Sequence, residues 1–129
     1  MIQVGEKHET RVTVTKEMTA AAMGSGALEV FATPSMIALM EGTAQATVQS
    51  LLEDGQGTVG TRIDVKHLSA TPVGMKVTCV AEVTEVDRRR IVFSVKAYDE
   101  VELIGEGTHD RFVINNEKFF AKCNGKMEK

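Results

Sequence analysis

Between Pro34 and Leu52 the chain carries a single charge, the carboxylate of Glu41, in a run of apolar and neutral polar residues. At helical neighbour spacings Glu41 meets Ile37, Ala38, Ala44 and Gln45, none of them a cation. An apolar setting penalises an ionised carboxyl and moves it toward the range of a general base near neutral pH. Holding it there costs stability, so a functional role is expected, against the plainer readings of a helix residue near the surface or half of a buried salt bridge. Thr33 stands eight residues earlier, a little over two turns away and on nearly the same face. Its hydroxyl is expected to cap the helix, with Pro34 at the first helical position, where a missing N–H costs nothing. The same helix start offers free N–H groups and a positive dipole end to an oxyanion formed when a carbonyl is attacked.

Other chemistry-bearing residues read more plainly. His67, in Val65-Lys66-His67-Leu68-Ser69, is on its own a surface histidine at a strand end. His109 and Arg111 are two apart on a strand, share a face, and read as a solvated edge. Arg88-Arg89-Arg90 reads as a solvated hairpin, with some capacity to meet phosphates. Cys79 and Cys123 lack metal-like spacing and are expected to be free thiols. Three scattered histidines give no zinc signature, so no metal is expected.

The elements that position these residues follow from pattern. Val12-Thr13-Val14-Thr15 closes a first strand within residues 2–15. Residues 19–31, with Gly24-Ser25-Gly26, predict a mobile loop. A helix of about 19 residues runs from Pro34 to Glu53 and stops at Asp54-Gly55. Val59, Thr61, Ile63 and Val65 alternate with Gly60, Arg62, Asp64 and Lys66 in a strand. After the turn Thr71-Pro72-Val73-Gly74, a further strand puts Val77, Cys79, Ala81 and Val83 on one face. Turns at Asp87-Arg88-Arg89 and Asp99-Glu100 bound the strand Arg90–Tyr98, and a last strand covers about 102–115. The Lys-rich tail from Asn116 has only Phe119-Phe120 to anchor it and is expected to fray. One helix and hairpin-linked strands predict an α+β fold with an antiparallel sheet, in a single domain over residues 1–129. A helix apolar on most sides needs cover from a strongly curved sheet, the hotdog arrangement. Open sheet edges favour pairing with a second copy.

Composition narrows the function. With 43% hydrophobic and 26% charged residues, the 129-residue chain is an ordinary globular sequence. A net charge of −3, no tryptophan and one tyrosine argue against a nucleic-acid partner. The N-terminus MIQVGEKHETRVTV lacks the order of a secretory signal, and the longest apolar stretch is short for a membrane span. A cytoplasmic protein that does not enter the membrane is expected.

Several short series carry a resemblance. Val30-Phe31-Ala32-Thr33, Leu39-Met40-Glu41, Gly57-Thr58-Val59-Gly60-Thr61, His67, Ala70-Thr71-Pro72, Gly105-Glu106-Gly107-Thr108-His109 and Glu117-Lys118-Phe119 resemble the fluoroacetyl-CoA thioesterase family of hotdog proteins, over about residues 4–122. The family's catalytic residues are a threonine, a glutamate eight positions later and a histidine 26 after that, and Thr33, Glu41 and His67 fall at those spacings. The resemblance implies hydrolysis of a small acyl-CoA thioester at a homodimer interface, without metal or organic cofactor and with CoA entering as part of the substrate. It implies that Glu41 activates water or attacks the carbonyl, that Thr33 positions carboxylate and thioester, and that His67 orients the acyl group and assists the leaving thiolate. Gly60 and Arg111 match positions that line the acyl pocket.

One position departs from the family. Its fluoroacetyl-specific members carry a phenylalanine gate six residues before the threonine; here that position is Ala27. The smaller residue opens the pocket and points to other small acyl groups. Two alternatives remain open at this stage: a non-catalytic acyl-CoA binder of the same fold, and a hotdog hydratase or dehydratase.

Overall fold

A computed structural model describes residues 1–128. Strands β1 (Lys7–Thr13), β2 (Gln56–His67), β3 (Lys76–Asp87), β4 (Arg90–Tyr98) and β5 (Leu103–Asn115) form one antiparallel sheet in the order β1-β3-β4-β5-β2. A short helix α1 (Ala20–Met23) precedes the long helix α2 (Thr33–Gln49), which packs against all five strands. This is the hotdog arrangement. The sheet bends at register shifts in β2 (Gly60/Arg62), β3 (Val83/Glu85) and β5 (Leu103/Gly105, opposite Ala97 and Tyr98 of β4), where an extra residue raises the local twist.

The core forms where two periods meet. Met36, Met40, Ala44 and Val48 recur every fourth residue along α2, and all are fully buried. They face Val77, Cys79, Ala81 and Val83 of β3 and Ile91, Phe93, Val95 and Ala97 of β4, also fully buried. Each larger side chain contributes roughly 1.5–3 kcal/mol by leaving water. A hydroxyl pair, Thr10 to Thr43, ties β1 to the helix, and Thr43 donates to the Leu39 carbonyl at 2.7 Å. Both cysteines are free thiols: Cys79 lies in the core and Cys123 is exposed.

Four features differ from the sequence expectation. Residues 19–31 hold a helical turn, because Thr19 caps Ala20–Met23 (Ala22 N–H to Oγ1, 3.2 Å) and Gly24 ends it at φ +74°. Three successive alanines favour that turn, and the neighbouring glycines masked it. α2 stops at Gln49, earlier than expected, and a turn carries the chain to Gly55 at φ +83°. The C-terminal segment forms α3 (Asn116–Asn124), capped by Asn115, whose Oδ1 accepts from the Lys118 N–H at 3.0 Å; Phe119 and Phe120 are exposed and do not anchor it. Finally, the curved sheet leaves one face of α2 uncovered: Ala38, Gly42, Gln45 and Ala46 are exposed, and Ile37 and Glu41 are half-buried. Among the described residues no helix is long and apolar enough to cross a membrane.

Candidate active site

Two groups of polar residues flank α2. The first is at its start. Ala32, not Thr33, is the N-cap; its carbonyl accepts from the Met36 N–H at 2.9 Å, and no side chain caps the helix. Thr33 is the first helical residue, so its hydroxyl is free for another partner. Thr33 Oγ1 lies 2.8 Å from Nδ1 of His67, the last residue of β2. The other ring nitrogen, Nε2, is enclosed and has no partner among the described residues. Burial holds the His67 pKa below the ordinary histidine value, with a bond to the Ser69 backbone acting weakly the other way. The imidazole is therefore neutral near pH 7. A cavity of about 330 Å³ opens beside the pair, lined among others by Phe31, Ala32, Ser69 and Ala70.

The second group surrounds Glu41. An added Cβ at Gly60 would lie 3.0 Å from Glu41 Oε2, 3.0 Å from His109 Cε1 and 3.4 Å from Arg111 Nη1. The bare glycine lets the carboxylate approach β2 closely here, next to the bulge, and a methyl group would press on all three side chains. Sequence neighbours alone promised cation-free surroundings for Glu41; the fold instead faces it with Arg111 across Gly60. The two do not form an ion pair, and among the described residues Glu41 has none, while Arg62 pairs with Asp64 at 3.1 Å and Asp110 at 4.0 Å.

His109 and Arg111 are not a solvated edge. β5 lies between β4 and β2, and its inward parity puts His109 at 1% and Arg111 at 6% exposure. Arg111 donates from Nε to Thr58 Oγ1 (2.8 Å) and from Nη2 to the Thr58 carbonyl (2.9 Å), and its Nη1 lies 3.1 Å from His109 Nε2. His109 Nδ1 lies 2.8 Å from the Arg62 carbonyl. Burial, reinforced by the Arg111 charge, holds the His109 pKa below the usual range against the pull of the Arg62 carbonyl, Glu41 and Asp110. Sequence reasoning did not find Thr58 or the burial of His109. The available signal was parity, since His109 and Arg111 continue the inward-facing alternation that includes Gly105 and Gly107.

The structure thus brings Thr33 to His67 and Glu41 to Gly60 and Arg111. It does not join the groups within one chain: eight residues of helix separate Thr33 from Glu41, about 12 Å. Ala27 is exposed in the connection before α2 and does not line the cavity beside Thr33.

The fold has known counterparts. The profile of the family described as fluoroacetyl-CoA-specific thioesterase matches residues 14–117. A fluoroacetyl-CoA thioesterase of Streptantibioticus cattleyicolor is 48% identical over 98 residues, which are 76% of this chain and 70% of that protein. A solved structure of the fluoroacetyl-CoA thioesterase superposes with a TM-score of 0.92 at 39% identity, covering 98% of each chain. A thioesterase superfamily member of Thermus thermophilus superposes at 0.91 with 28% identity, over 99% of this chain and 95% of its own. With the family profile spanning most of the chain and the whole fold superposing on these structures, this chain is an acyl-CoA thioesterase of hotdog fold and belongs to the fluoroacetyl-CoA-specific thioesterase family.

Proposed function

We propose that the protein hydrolyses a small acyl-CoA thioester to the free acid and CoA, using Thr33, Glu41 and His67. The observation that carries this reading is the Thr33–His67 pair at an uncapped helix start beside a cavity, with a buried ring nitrogen that has no partner among the described residues. When the Thr33 hydroxyl donates to Nδ1, Nε2 carries the proton and offers it to the thioester, orienting the acyl group and assisting the leaving thiolate. The free N–H groups of the first turn stabilise the oxyanion. Glu41 delivers the attack, as base on a water or as nucleophile. Gly60 and Arg111 line the acyl pocket. The chemistry calls for no metal or organic cofactor.

The working unit in this reading is a homodimer. β2 is a twelve-residue edge strand, paired among the described residues only with β5, and long open edges favour pairing. Along α2 the order is Thr33 then Glu41; along β2 it is Gly60 then His67. Antiparallel pairing of both elements about one two-fold axis brings Thr33 and His67 of one protomer against the partner subunit's Glu41, Gly60 and Arg111. That closes the 12 Å gap.

The small, exposed Ala27 in place of the gating ring supports a pocket open to several small acyl groups rather than one selective for fluoroacetyl. A non-catalytic acyl-CoA binder would be favoured by Glu41 locked to Arg62 or Arg111, and neither pair forms among the described residues.

Release of CoA thiol from acetyl-, fluoroacetyl-, propionyl-, butyryl- and phenylacetyl-CoA tests the reading. Wild type is expected to turn over several of them, with fluoroacetyl- and acetyl-CoA within about tenfold of each other. Folded Glu41→Gln is expected to lose about 10²-fold or more. Binding of CoA esters without turnover would replace hydrolysis by binding. A preference of many thousandfold for fluoroacetyl-CoA would overturn the broad-pocket assignment.

A further inference from the structure

Arg111 is the one buried guanidinium among the described residues. A guanidinium has five N–H donors and no acceptor, so each of its contacts fixes the role of its partner. Its Nε–H and one Nη2–H go to the hydroxyl and carbonyl of Thr58. At 3.1 Å from Nη1, His109 Nε2 must be the acceptor. The Arg62 carbonyl can only accept, so His109 Nδ1 must carry the proton. The two contacts together leave one arrangement, a neutral imidazole protonated at Nδ1.

Among the described residues one N–H on each terminal nitrogen of Arg111 stays uncommitted, and Nη1 lies 3.4 Å from the point beside Gly60 that is itself 3.0 Å from Glu41 Oε2. We propose that His109 is a positioning residue: with Thr58 it clamps the Arg111 guanidinium so that its remaining N–H bonds face the acyl pocket beside Glu41. The inference rests on the reading of that cleft as the acyl pocket. A lysine could not be held this way, because it lacks the planar fork that takes three fixed partners. Nor could a protonated His109, whose Nε2–H would oppose the Arg111 donor. The other charged groups facing the ring are Glu41 from α2 and Asp110 from β5.

Two substitutions separate the contacts. In His109→Asn the amide can still donate to the Arg62 carbonyl, but the side chain is too short to reach Arg111. In His109→Gln the side-chain oxygen can occupy the Nε2 position and accept from Arg111. The expected result is a fall in kcat/KM of about 10- to 100-fold for folded His109→Asn and rescue to within about threefold of wild type by His109→Gln. In an Arg111→Ala background, His109→Asn should add no further loss. A second readout is independent of turnover: by nitrogen-15 NMR, the Arg111 Nε–H signal should exchange slowly with solvent in wild type and His109→Gln and rapidly in His109→Asn.

If wild type hydrolyses none of the thioesters, the proposed function fails, and the NMR comparison alone decides the clamp. Full activity in His109→Asn, failure of His109→Gln to rescue, additive losses with Arg111→Ala, or protection retained in His109→Asn would each overturn it. Should His109→Asn not fold, Thr58→Val removes one hydroxyl acceptor at similar volume. It should give the same loss of Arg111 protection, and retained protection there counts against the clamp.

Discussion

His67 and His109 are both neutral for the same reason, burial, and this gives the protein an acid-sensitive stability. Their folded pKa values lie below the ordinary 6.5, so between the folded and unfolded values the unfolded chain binds more protons. Stability therefore rises with pH across that window. It is lost as pH falls below about 6.5 and levels off once both rings are charged in the fold. Thermal unfolding followed by circular dichroism should show Tm a few degrees lower at pH 5.5 than at pH 7.5. His67→Gln and His109→Gln should each flatten that slope. A Tm independent of pH over this range would mean that neither ring is held neutral. At this scale the sequence was partly legible. Glu41 stood out as a lone charge, and the spacing of Thr33, Glu41 and His67 carried a family resemblance. What spacing could not give was partnership: the cap role of Thr33 went to the Ala32 backbone, and Arg111 reached Glu41 from a strand seventy residues away.

At the scale of elements, the close approach of β2 to β5 depends on a glycine. A Cβ at Gly107 would meet the Asp64 carbonyl and lie 2.6 Å from Val65 Cα, both backbone atoms of the paired strand. A Cβ at Gly105 would press mainly on the end of Met36, with Cε at 2.7 Å, a flexible side chain that can turn aside. Denaturant titration should therefore separate two like substitutions. Gly107→Ala is expected to cost more than about 3 kcal/mol, or to prevent folding, and Gly105→Ala about 1–2 kcal/mol. Equal costs would mean that β2 can shift freely against β5. The strands themselves were legible because alternation survives in β3 and β4, where one face is fully buried. β5 was legible as a strand but not as a buried one, since glycines, a histidine and an arginine occupy its inner face. The helical turn at Ala20–Met23 was hidden because tertiary pairing of Thr19 with Phe31 and of Val30 with Pro72 holds a segment whose composition reads as loop.

For the molecule as a whole, the division of polar residues into two groups makes a prediction that a self-contained site does not share. In the proposed dimer each site takes Thr33 from one protomer and Glu41 from the other. Thr33→Val and Glu41→Gln homodimers should both be nearly inactive, yet subunit exchange between them creates one intact site in every mixed dimer. An equimolar mixture should recover about a quarter of wild-type activity, because half of the dimers are mixed and each has one of two sites intact. Activity that stays at the level of the separate variants, with exchange verified by mass spectrometry, would place all three side chains in one chain.

The two thiols, one sealed in the core and one on α3, bear on how such experiments are read. A colorimetric thiol reagent will count one equivalent per chain from Cys123 before any CoA is released, and that step ends as the residue is consumed. Cys79 sits at 0% exposure between α2 and the sheet, and burial raises its pKa. It should stay silent until the helix leaves the sheet. The same reagent that follows turnover is thus also an internal clock of unfolding, in which a second equivalent per chain marks the loss of the core.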